Sequence, residues 1–327
     1  MQQTRKNRMV FEKMVQASNE LILGLELNRD YAQMTYFHQS VKEPLTVSRT
    51  PGEDDYLLPM GLRMDAAGKW HLWDADVQTE EEAPDQFRIS GIYEKIETET
   101  ELKDGEIVYE PEELLSIYFR TCLELLKLLT QNAEVKVMVT VRDLTKRWSS
   151  ILTEALKLVG IDRKEIYMQD YLSSFYYYTV NQKKELWYHD AALIECVDET
   201  IFGYILHIDH STRPAVARAE LVVSQKMDAS VRGAMDDEAW NEERDRLFFE
   251  LLKKLFERRV VSVSYLVGSY FNKSWAVQSI KFLCYRRHAY QGKNLYSRGA
   301  CYAAMERCGL IADRGILFGG RDMIRVN

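Results

Sequence analysis

Two glutamates stand at matching places in this chain, each near the end of an apolar run and just ahead of a polar turn. Glu26 follows Ile22, Leu23 and Leu25, and Asn28, Arg29 and Asp30 turn the chain behind it. Glu195 ends the run at 191–195, and Asp198, Glu199 and Thr200 make the turn behind it. A carboxylate so placed points at whatever lies against the turn. Other chemistries have less behind them. On a strand, His207 and Asp209 share one face while His210 takes the other, so the string makes no metal site and reads as solvated hairpin-end residues. Cys301 and Cys308 lie a heptad apart with no His partner nearby, which does not make a zinc site. No Ser-His-Asp order or nucleophile elbow is present. Arg286, Arg287 and His288 form a small basic cluster, open to phosphates, to an acidic partner or to plain solvent. The aromatic run at 175–178 suits a core or an interface better than a stacking surface.

The elements that must hold the two glutamates are hairpins. Residues 22–37 and 191–208 each place turn-tolerant residues between two short β-prone runs. Their repetition at half-chain distance predicts a duplicated architecture with a cleft between the copies. Between them the pattern is α/β. A helix starts at Pro111, where proline suits the first turn and Glu112 and Glu113 suit the positive dipole end, and it runs to about Thr130. A buried strand at 135–141, a helix at 145–159 closed by Gly160, a strand at 165–168 and a helix at 171–180 follow. That alternation implies parallel pairing with right-handed crossovers. After the second hairpin come a β region at 214–223 and a charged helix at 235–259 with Leu247, Leu251 and Leu255 on its apolar face. An apolar strand at 260–267 runs into Gly268 and Ser269, and helices at 274–284 and 297–308 lead to a strand-like 316–318. Residues 57–73 read as β with a turn at 67–69, 80–85 as a charged linker, 103–106 as a turn, and 2–19 as a tail or frayed helix.

At 327 residues the chain can hold two lobes with a core each. Hydrophobic content of 46%, charged content of 28% and a net charge of −7 are ordinary for a globular protein and argue against a general nucleic-acid binder. The basic residues at 4–8 read as a solubilising tail. No apolar run is long enough to span a bilayer and no signal peptide is visible. Five scattered cysteines read as reduced thiols, which places the chain in the cytoplasm.

In order and spacing, these pieces resemble the actin, Hsp70 and sugar-kinase superfamily. The two hairpins resemble its two phosphate loops, and 135–178 resembles the stretch that ends its first lobe. Tyr265, Leu266, Val267, Gly268 and Ser269 resemble the adenosine motif, and Arg298, Gly299, Ala300 and the residues to Ala304 resemble the closing helix. The whole chain also resembles an uncharacterised bacterial Hsp70-like family known only as a domain of unknown function. The resemblance implies an α/β, two-lobed, ribonuclease H-like fold with a central cleft. Lobe I would span 21–188 and lobe II 189–310, the latter with a helical insertion at about 226–260. Residues 1–20 would precede the lobes, and 311–327 would begin a further region or pack on a partner.

The resemblance also implies ATP with Mg²⁺ held near Glu26, Asn28, Arg29, Glu195, Asp198, Thr200, Gly268, Ser269 and Gly299. The departures point to damage. In the family an Asp in each loop positions hydrated Mg²⁺, whereas Glu26 and Glu195 carry an extra methylene. A displacement of about 1 Å costs on the order of a hundredfold in rate. The glycines that let backbone N–H groups approach phosphates are missing, and Glu195, Asp198 and Glu199 repel polyphosphate unless a cation intervenes. Gln169, near where the family often has a water-orienting Glu, cannot act as a base. Only Arg29 offers compensation. The expectation is a scaffold that acts through a protein partner, with weak nucleotide binding and no catalytic residues of its own. The alternative is an active Mg-ATP-dependent Hsp70-like ATPase or chaperone, and a sugar kinase ranks third for want of a base.

Overall fold

In a computed structural model of the chain, the run that carries Glu26 forms β1 (Glu20–Leu27), and the residues after its turn form β2 (Tyr31–Phe37). The structure describes residues 20–50, 52–75, 87–98, 102–104, 107–130, 133–272 and 274–319. The expected tail at 2–19, the linker at 80–85, Gly105 and Glu106 of the 103–106 turn, and residues 320–327 lie outside the described residues. The chain is mixed α/β with several sheets. It divides into two compact units, Met1–Ser174 with Tyr296–Ile311, and Phe175–Leu295 with Ala312–Asn327. The helix Leu295–Arg307 groups with the first unit from Tyr296 onward, and Gly24 of β1 gives its backbone a seat.

In the first unit the strands that follow are β3 (Leu45–Thr46), β4 (Leu58–Pro59), β5 (Leu62–Met64), β6 (Trp70–Leu72), β7 (Phe87–Ile89), β8 (Leu102–Asp104), β9 (Ile107–Tyr109), β10 (Glu134–Val141) and β11 (Ile166–Asp170). The main sheet has the order β11-β10-β1-β2-β3, with β4 also on β2. β1 runs antiparallel to β2 and parallel to β10, and β10 runs parallel to β11. The pleat splits β1 by parity. Leu21, Leu23, Leu25 and Leu27 enter a core with the helices Pro111–Leu123 and Lys146–Leu158. Gly24 and Glu26 take the opposite face, where the helix Leu295–Arg307 lies against Gly24. Thr145 Oγ1 caps the helix Lys146–Leu158, accepting from Trp148 N at 3.2 Å, and Gly160, expected to close it, takes φ 99°. The helix from Pro111 stops at Leu123 and continues as a 3₁₀ turn and a short helix Lys127–Thr130.

In the second unit the strands are β12 (Asp190–Val197), β13 (Thr200–Asp209), β14 (Ala215–Lys226), β15 (Val261–Val267), β16 (His288–Gln291) and β17 (Ile316–Gly319). Their order is β16-β15-β12-β13-β14-β17. β12 runs antiparallel to β13 and parallel to β15, which runs parallel to β16, while β13 and β14 are antiparallel. Five strands therefore repeat the connectivity and directions of β1, β2, β3, β10 and β11. The helix Asp237–Leu255 covers one face, with Leu251 and Leu255 buried and Leu247 partly so. It comes close because Gly203 leaves room for Leu255. Among the described residues no helix is long and apolar enough to cross a membrane.

Candidate functional site

Each glutamate stands at the same point of its sheet. Glu26 pairs with Gln33 of the hairpin partner and Thr140 of the parallel neighbour; Glu195 pairs with Phe202 and Val267. Both are buried, at 2% and 3% exposure. Each lies at the carboxyl end of parallel strands, where open α/β sheets carry their ligand crevices.

Around Glu26 the first unit builds a polar floor. Gln169 Nε2 donates to Ser174 Oγ at 2.7 Å, which in turn lies 2.8 Å from Thr140 Oγ1. Thr35 and Ser297 hydroxyls meet at 2.9 Å. Over this floor Tyr171 stacks on Tyr296 at 4.1 Å, donates to the Leu27 carbonyl at 2.7 Å, and has the Arg142 guanidinium 5.1 Å from its ring. Burial, then the charge of Glu26, holds the Tyr171 phenol well above its ordinary range. Tyr171 thus lies near the carboxylate, with the Tyr296 ring stacked on it. In the turn, Asn28 N donates to the Tyr31 carbonyl at 2.8 Å. Arg29 reaches Glu94 at 3.4 Å, and both side chains are about half exposed, so the pair adds little stability. Gly299 packs its Cα against the Ser174 carbonyl, which makes it a seat for the closing helix.

In the second unit β12 and β13 are joined by two residues in the left-handed region, Asp198 at φ 45° and Glu199 at φ 54°. That turn favours Asn or Asp followed by Gly, and this one carries two exposed acids. Thr200 Oγ1 reaches the Asp198 carbonyl at 3.5 Å. Gly268, at φ 107°, ends β15 beside the Cys196 carbonyl, so Gly268 and Ser269 lie next to the hairpin. Burial, then the neighbouring Glu199, Glu195 and Asp198, pushes the Cys196 thiol up to about 12. A left-handed residue other than glycine costs roughly 1–2 kcal/mol, part of which glycine returns through its freer unfolded chain. Glu199→Gly is therefore expected to stabilise the protein by roughly 0.5–1 kcal/mol, read as a raised melting temperature. A lowered one would mean that the turn gains more from its side chain than it loses to strain.

The sequence reading missed several of these residues. Thr140, Ser174 and Ser297 are small polar residues far apart in the chain, with no local pattern to mark them. Arg244 also went unnoticed in its charged helix. Its guanidinium lies 4.7 Å from the Trp275 ring centre and 5.8 Å from that of Tyr270, a residue that also senses the charge of Glu199. His207 bonds Asp190 at 2.7 Å, and Arg287 of the small basic cluster packs over Phe256 and Phe282.

These geometries define a duplicated α/β protein, each unit led by a hairpin with a buried glutamate ahead of its turn. Within that class, the chain belongs to the family described as "Family of unknown function (DUF5716) C-terminal", whose model matches residues 43–320. The match takes in Glu195, the acidic turn and Gly268, and begins after Glu26, Asn28 and Arg29. A search of curated proteins finds no match.

Proposed function

We propose that this chain is a two-lobed, actin- and Hsp70-like scaffold whose phosphate loops have degenerated, and that it works through a protein partner with weak nucleotide binding and no appreciable hydrolysis. The observation that carries this reading is the second turn. In this reading the turn stands for a phosphate loop, and its two left-handed residues are the acids Asp198 and Glu199, which would oppose an anion at the backbone amides. Polyphosphate does not fit that acidic turn. The floor around Glu26 supports the same reading, because Gln169 supplies an amide and Tyr171, with the Tyr296 ring stacked on it, lies near the carboxylate.

The test is a thermal-shift series with millimolar Mg-ATP, followed by a phosphate-release assay. A ligand at a hundred times its dissociation constant stabilises a fold by roughly 2.7 kcal/mol. The expected result is little or no shift and no steady release. A large shift, with release that disappears in Glu26→Ala and Glu195→Ala, would overturn the proposal in favour of an active ATPase.

A further inference from the structure

From residue 258 to residue 305 the chain carries eight arginines and lysines and no aspartate or glutamate, in a protein of net charge −7. Part of this stretch builds one edge of the second sheet. β16 is the outermost strand beyond β15, so among the described residues its free edge presents backbone N–H and C=O groups that no strand pairs. The helix Val277–Cys284 lies beside β16 and packs on the helix Asp237–Leu255, where Ser279 bonds Asp245 and Leu283 joins the core. Its other side shows Val277, Ile280 and Cys284, spaced to share one face, and exposed Tyr285 follows.

The charges at this edge are set for an anionic partner. Carboxylates of the neighbouring helix are already engaged: Glu243 with Arg246, Glu250 with Lys253, and Asp245 in bonds to Gln278 and Ser279. Among the described residues no carboxylate comes within ion-pair range of Lys281 or Arg286. Arg287 lies 4.6 Å from the Phe256 ring centre and 4.9 Å from that of Phe282, with a buried Nη1 that has no hydrogen-bond partner among the described residues. A nucleic acid would use these cations but has no use for an apolar stripe or for a strand edge. An extended polypeptide uses all three.

We infer that this edge of the second unit docks an extended acidic segment of a partner protein. The segment adds to β16 as a strand, sets carboxylates against Lys281, Arg286 and Arg287, and lays an apolar side chain on Val277, Ile280 and Cys284. The inference rests on the reading above only in taking a protein as the chain's target, and it needs no nucleotide.

The test uses the full chain and a short fluorescent peptide that alternates glutamate with valine, followed by anisotropy. An alternating lysine–valine peptide and a single-stranded DNA oligonucleotide serve as comparators. The acidic peptide is expected to bind, to weaken at least tenfold in Lys281→Glu and in Arg286→Glu, and to weaken similarly in Ile280→Asp. All three side chains are exposed, so the variants should melt like the parent. Binding should also fall with added salt. No binding of the acidic peptide, or equal binding to the variants, would overturn the inference. So would tighter binding of the oligonucleotide, or self-association in sedimentation that Ile280→Asp abolishes, because a second copy would then hold the face. A null result with Mg-ATP leaves this test intact, and failure of the peptide leaves the nucleotide reading intact.

Discussion

Gly24→Ala is expected to lower stability by about 3 kcal/mol or more. A Cβ at that position would lie 2.1 Å from the Ser297 carbonyl oxygen and 2.3 Å from the Cys301 amide nitrogen. Both are backbone atoms of one helix, so no side-chain rotation relieves the clash. Either the helix Leu295–Arg307 lifts from β1 or the sheet bends. Gly299→Ala meets the same difficulty at its other seat, with the Ser174 carbonyl oxygen at 2.0 Å. Gly52→Ala is the informative control. It sits at φ 87° with nothing within 4 Å, so it loses only the left-handed strain of roughly 1–2 kcal/mol. Denaturant melts of the three variants should rank Gly24 and Gly299 well below Gly52. Equal effects would mean that close backbone approach is not what holds the closing helix.

Asp245→Ala is expected to be nearly as damaging, by about 3–5 kcal/mol. One Asp245 oxygen accepts from Gln278 N at 2.7 Å, and the other accepts from Ser279 N at 3.0 Å and from the Ser279 hydroxyl at 2.6 Å. Asp245 is 5% exposed and Ser279 is fully buried, so alanine would strand donors away from water. The acid also stands at the positive end of the helix Val277–Cys284, which favours it further. Asp245→Asn keeps one acceptor oxygen and should lose about half as much, because its amide would face another donor. Thermal melts check the ranking alanine, asparagine, parent. A parent-like alanine variant would show that the two helices are held by their aromatic packing alone.

The hairpins could be read from the chain because their information is local. Asn28 to Asp30, and Asp198 with Glu199, stand between short apolar runs, and a connection of two or three residues fixes the register by itself. The charged helix was legible through Leu251 and Leu255 at helical spacing. The partners of single residues were not. Gly24 looks like an interruption in a strand until Ser297 and Cys301 arrive from the far end of the chain. Asp245 sits among Glu242, Glu243, Arg244 and Arg246, and nothing in that run marks it as the buried one. The acid-free stretch from 258 onward was visible in the sequence, but the strand edge it decorates was not, because sheet order depends on pairings between distant segments.

The seat on β1 has a consequence for how the protein is made. Gly24 leaves the ribosome long before Cys301, with the second unit's main strands synthesised in between. The first unit's main segment is complete at Ser174, and the 127 positions from there to Cys301 (301 minus 174) take roughly 6–25 s to translate at about 5–20 residues per second. Through that interval the nascent first unit has its leucine core but not the helix that seats on Gly24. Its sheet therefore waits, the seat at Gly24 uncovered, until residues 295–307 are made.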